Sequence, residues 1–192
     1  MPPISTLTDI DICARALMRI GANPISSFDD DTAEADVAGL LYGQIRDTLL
    51  SAYPWSFAKA QSVLAASATK PVADFTHSFD LPADALRVLS AGTPHKGRGL
   101  HYRLQGRKLH CNAEQVILSY LFHPLEEDTP AYFNTALIAR LAAEFCIPLT
   151  ESTSRAETLM RLAETELAKA RSIDAQQDSP QRLEDFSLIK VR

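Results

Sequence analysis

Two hydrophobic periods alternate along the chain and divide it into a helical part, a part with period two, and a second helical part. From Thr8 the spacing is helical, with Ile12, Ala16, Arg19 and Ile20 in sequence. Thr8 reads as an N-cap, and Asp9 and Asp11 suit the first turn of a helix dipole. Gly21 supplies a C-cap, and Pro24 prevents continuation. Residues 23–31 form a turn-rich link. A second helix is predicted from about Thr32 to Ala52, with Asp31-Thr-Ala-Glu34 as a capping box that has Asp in place of Ser or Thr. Val37, Leu40, Leu41, Ile45, Leu49 and Leu50 form its apolar stripe. Pro54 ends it, and Trp55 and Phe57 anchor the corner.

Gln61 to Ala68 fits either strand or helix. From Pro71 to His123 the period moves towards two. Phe75, His77 and Phe79 alternate with Thr76 and Ser78, and Arg87-Val-Leu is a short strand. Leu100 to Cys111 reads as two strands joined around Gln105-Gly106, and Val116 to Phe122 as a more buried one. Helical spacing returns after Thr129, a cap, and Pro130 at the first helical position. Phe133, Leu137, Leu141 and Phe145 repeat every four residues until Pro148 stops the pattern. A last helix spans roughly Ser152 to Ala175, with Ala156, Leu159, Ala163, Leu167 and Ala170 on one stripe. The expected fold is α+β, mainly α. An antiparallel helical bundle covers 1–70 and 126–176, a small antiparallel β insertion covers 71–125, and an extended C-terminal tail covers 177–192.

Composition is that of a globular protein, with 46% hydrophobic and 22% charged residues in 192. No apolar run approaches the roughly 18 residues of a membrane span. Asp9, Asp11 and Arg15 interrupt any signal-peptide pattern, so a cytosolic origin without membrane contact is expected. Cys13, Cys111 and Cys146 are odd in number and widely spaced, which points to buried thiols rather than disulfides. The net charge of −5 conceals an asymmetry. Arg87, Lys96, Arg98, Arg103, Arg107 and Lys108 fall in a stretch, 85–113, that has no acids. Elsewhere 13 basic residues face 24 acidic ones. The segment therefore invites an anionic partner or DNA, with Lys96, Arg98, Arg103, Arg107 and Lys108 as contacts made to phosphates without base reading.

Signatures of catalysis do not emerge. The five histidines form no His-x-x-x-His pair, and His110 and Cys111 point to opposite faces of a strand, so they do not share a metal. No nucleophile elbow, P-loop or dinucleotide fingerprint is present. Asp29-Asp-Asp31 and Glu126-Glu-Asp128 precede predicted helices and suit their dipoles. No catalytic residue, metal or cofactor is assigned.

An ordered set of blocks carries more information. These are Ile12-Cys-Ala-Arg-Ala-Leu-Met-Arg-Ile-Gly21, Asn23-Pro-Ile-Ser-Ser-Phe-Asp-Asp30, Tyr42-Gly-Gln-Ile-Arg-Asp-Thr-Leu-Leu50, Tyr53-Pro-Trp-Ser-Phe-Ala58 and Phe79-Asp-Leu-Pro-Ala-Asp-Ala-Leu-Arg-Val88. Tyr120 and the stretch from Phe133 to Glu144 extend the pattern. Together they resemble the head-to-tail adaptors of tailed bacteriophages, the connector gatekeeper or tail tubular protein A family. The resemblance implies a structural virion protein, not an enzyme. It would be made in the bacterial host cytoplasm and located at the head–tail junction. Its copies would form a ring of twelve between the portal protein and a tail, nozzle or stopper protein, around passing double-stranded DNA. By position, the tail would bind the portal through Phe186, Leu188, Ile189, Val191 and Arg192. Two other readings stand beside this one: a nucleic-acid-binding module using the 95–108 loop, and a cell-wall hydrolase.

Overall fold

The computed structural model describes residues 7–94 and 96–177. Among the described residues, four α-helices and six strands form a mixed α+β fold. The helices are α1 (Asp9–Ile20), α2 (Ala33–Ala52), α3 (Ala131–Thr150) and α4 (Thr153–Asp174). Between α2 and α3 lie β1 (Lys59–Val63), β2 (His77–Asp80), β3 (Ala85–Gly92), β4 (Tyr102–Gln105), β5 (Lys108–Cys111) and β6 (Ile117–Phe122).

Local signals set the ends of α1 as expected. The Asp11 N–H donates to the Thr8 hydroxyl at 3.1 Å, and the Thr8 N–H donates to the Asp11 carboxylate at 3.0 Å. This reciprocal box satisfies two otherwise orphaned donors. The Thr8 N–H bond to the carboxylate, joined by a 2.8 Å donation from the Thr8 hydroxyl, holds the Asp11 carboxyl below the usual carboxylate range. Gly21 closes the helix at φ 76°, a conformation that costs glycine little.

In α2 the capping differs from expectation. The cap is Thr32, whose hydroxyl accepts from the Ala35 N–H at 3.2 Å, not Asp31. Glu34 accepts instead from the Asn23 backbone and side-chain amides, each at 3.4 Å. Of the expected stripe, Ile45, Leu49 and Leu50 are buried and Val37 and Leu41 pack half-buried against the core, but Leu40 is 79% exposed, and Ala35, Ala38 and Tyr42 complete the inward face. Counting only large apolar residues misplaces Leu40, because small alanines fill the tightly packed positions. Far along the chain, Arg87 Nη1 donates to the Ser51 carbonyl at 2.7 Å and supplies the positive charge that the last turn of α2 lacks.

Two further expectations are corrected in α3. Its cap is Pro130, and the Thr129 hydroxyl donates backward to the Glu126 carbonyl at 2.6 Å. The helix also passes through Pro148 to Thr150. So near the end a proline forfeits only one bond. The Thr150 hydroxyl returns one to the Cys146 carbonyl at 2.6 Å, and the left-handed Glu151 donates to Ile147 at 2.9 Å. On α4, Ala156, Ala163 and Ala170 recur every seven residues and bury a narrow seam, with α3 as the partner helix.

The β region begins at Lys59, ahead of residue 71, and holds two sheets rather than one. Both are antiparallel, with strand orders β1-β6-β3 and β2-β5-β4. They share a core of Phe79, Leu109 and Cys111 from one sheet and Ala91, Leu118 and Tyr120 from the other. β6 joins this core to the helical one. Leu118 and Tyr120 face the second sheet, while Leu121 on the opposite face packs with Trp55 and Phe133 among the helices.

Candidate functional site

The five basic residues expected to meet an anionic partner do not form one patch. Arg107 sits at the β4–β5 turn, beside Gly106 at φ 58°. Its guanidinium donates to the carbonyls of Pro82 and Ala83, so its charge is spent on the loop before β3. Lys96 and Arg98 lie in the loop after β3, where Lys96 bridges back to Thr93. Arg103 and Lys108 lie on the other sheet.

The register of that sheet defines what surrounds them. Ser78 opposes His110, which opposes Arg103. One row on, Asp80 opposes Lys108, which opposes Gln105. Residues directly across antiparallel strands share a face, and so do residues two apart. One face of β2-β5-β4 is thus two polar rows, and the other is the apolar surface of Phe79, Leu109 and Cys111. His110 and Cys111 do point to opposite faces.

The segment 69–75 crosses the polar face and encloses a groove of about 490 Å³ with Ser78, Arg103, Gln105, Lys108 and His110. Arg103 Nη1 lies 2.8 Å from Asp74 Oδ2, and its guanidinium lies 5.7 Å from the centre of the Phe75 ring. Lys108 Nζ donates to the Ser67 hydroxyl at 2.7 Å and stands 3.6 Å from Asp80. Ser78 is buried, and its hydroxyl has no hydrogen-bond partner among the described residues. Sequence reading missed Lys70, Ser78 and His110 as companions of Arg103 and Lys108. The alternation around Phe79 held the signal, but only strand register converts alternation into neighbours.

The acidic turn Glu126–Asp128 has a structural task. Glu126 pairs with Arg46 at 2.9 Å and accepts from the Tyr42 hydroxyl at 3.2 Å, and Arg46 also donates to the Pro124 carbonyl. These bonds dock α2 onto the segment leading to α3. Burial and the Glu126 charge push the Tyr42 phenol far up. Among the described residues, no three His, Cys, Asp or Glu side chains are grouped as metal ligands, and no helix is long and apolar enough to cross a membrane. The proposed portal-binding residues Phe186, Leu188, Ile189, Val191 and Arg192 lie outside the described residues. Compared with protein-family models and with curated proteins, the chain matches none.

Proposed function

We propose that this chain is a structural virion protein. It acts as a head-to-tail adaptor whose ring, of about twelve copies, joins a portal protein to a tail, nozzle or stopper protein and extends the DNA channel. In this reading α1–α4 are the antiparallel helical bundle of each subunit, the β region is its insertion, and the C-terminal tail grips the portal. No catalysis is assigned to it.

One observation carries the reading: blocks that resemble the adaptor family, though distant in sequence, meet in one joint. Trp55 and Phe57 come from the Tyr53–Ala58 block and Phe133 from the later one. Trp55 and Phe57 each place their ring centroid 5.2 Å from that of Phe133, edge to face. Trp55 is fully buried, and its Nε1 donates to the Leu49 carbonyl at 2.9 Å, inside the Tyr42–Leu50 block. The resemblance therefore follows the residues that fix how α2, α3 and the corner meet.

The test is negative-stain electron microscopy of the chain mixed with the portal protein encoded beside it. A twelve-fold collar on the portal is expected, together with its loss when residues 177–192 are deleted. Bare portals in the presence of well-folded full-length chain overturn the reading, and a normal collar from the truncated chain overturns the role of the tail.

A further inference from the structure

The groove on the polar face of β2-β5-β4 has the size of a small-molecule site. Its floor is Ser78, His110 and Arg103, with Lys108 in the next row. Its wall is the 69–75 segment, which brings Lys70, Asp74 and the Phe75 ring. Lys70, Arg103 and Lys108 thus outnumber the two nearby carboxylates, Asp74 and Asp80.

Two observations fit this groove to an anion. The first is Ser78, only 3% exposed, with a hydroxyl that has no partner among the described residues. A buried polar group left in that condition destabilises the fold, so its presence at a groove floor calls for an acceptor. The second is Asp74. Its φ is 68°, in the left-handed region that non-glycine residues rarely adopt. That turn lays its carboxylate on Arg103 through a pair whose members are both more than half exposed. So exposed a pair contributes little and is easily exchanged. An internal anion therefore already occupies, weakly, the guanidinium that an external one would take.

We propose that the groove binds a phosphomonoester, whose phosphate displaces the Asp74 carboxylate from Arg103 while the body of the ligand lies against Phe75. A phosphate offers three terminal oxygens to the Arg103 guanidinium, the Lys108 ammonium, the His110 ring and the Ser78 hydroxyl. A carboxylate has two oxygens and satisfies fewer of these donors. The proposal stands apart from the adaptor reading and survives its failure.

Isothermal titration calorimetry of the full chain with adenosine monophosphate, inorganic phosphate and a short single-stranded oligonucleotide tests it. Adenosine monophosphate binds, and inorganic phosphate binds more weakly. Arg103→Ala weakens both about tenfold. Asp74→Asn removes the competing charge while keeping a side chain that tolerates the left-handed turn, and it tightens both several-fold. That gain cannot arise from misfolding. Absence of binding by both small phosphates, binding by the oligonucleotide alone, or affinity unchanged in both variants would each overturn the site.

Discussion

Asp174, the last residue of α4, ties down Ser56 across most of the chain. Its carboxylate accepts from the Ser56 N–H at 3.0 Å and from the Ser56 hydroxyl at 2.7 Å, and the Tyr132 hydroxyl adds a third bond at 2.8 Å. Asp174 is 2% exposed. One carboxylate thus joins the corner after α2, the start of α3 and the end of α4. Asp174→Ala strands these donors in a partly buried place. It should destabilise the fold by about 2–4 kcal/mol, with Asp174→Asn costing less because it keeps one acceptor oxygen. Urea midpoints of the two variants against wild type decide this, and equal midpoints for all three would refute it.

The same junction gives a pH dependence. Burial, the bond to Asp174 and the Asp174 charge push the Tyr132 phenol up to about 12. A tyrosine in the unfolded chain ionises at about 10, so the folded state holds the proton more tightly. The resulting stability is fully present below about pH 10 and is lost as pH rises through about 12. Wild type should lose stability over that window faster than Tyr132→Phe, which has no proton to release. Parallel curves of melting temperature against pH for the two proteins would remove the argument.

Gly92 ends β3 where the chain folds back on itself. A Cβ placed there would sit 1.9 Å from the Lys96 carbonyl oxygen and 2.3 Å from the Arg98 nitrogen. Both are backbone atoms, so no rotamer change relieves the clash. Gly92→Ala should displace the 93–98 loop, break the Thr93–Lys96 bridge and cost about 1–3 kcal/mol. Amide shifts confined to that loop, with a lowered urea midpoint, are the expected signature. An unchanged spectrum and midpoint would show that the close approach does not exist in solution.

The parts of this fold that were readable in the sequence are those decided within one turn of chain. Thr8 and Gly21 carry their capping chemistry locally, so both ends of α1 follow from residue type. Leu40 illustrates what is lost. A leucine in a helical pattern looks buried, but the inward face of α2 was set by Ala35 and Ala38, whose small size counts only against a neighbouring helix. Pro148 misled for a related reason: a proline breaks a helix interior, whereas here Thr150 and Glu151 compensate within the same turn. The candidate site was the least legible. Arg103 and Lys108 stood out by charge, as did Arg107, yet the carbonyls of Pro82 and Ala83 claim Arg107. Ser78 and His110 join the first two only through strand register, which no local pattern encodes.

The three thiols should be inert in the native protein. Cys13, Cys111 and Cys146 are all buried. Burial, with Asp9 nearby, pushes the Cys13 thiol up to about 12, and burial raises Cys111 as well. The thiolate is the reactive species, so both exclusion of reagent and a raised pKa act in the same direction. A chromogenic disulfide reagent should label no cysteine in the native chain at neutral pH and all three after guanidinium is added. Rapid labelling of one thiol in the native state would mean that its helix or strand opens far more readily than its packing implies, and mass mapping of the labelled residue would say which core is involved.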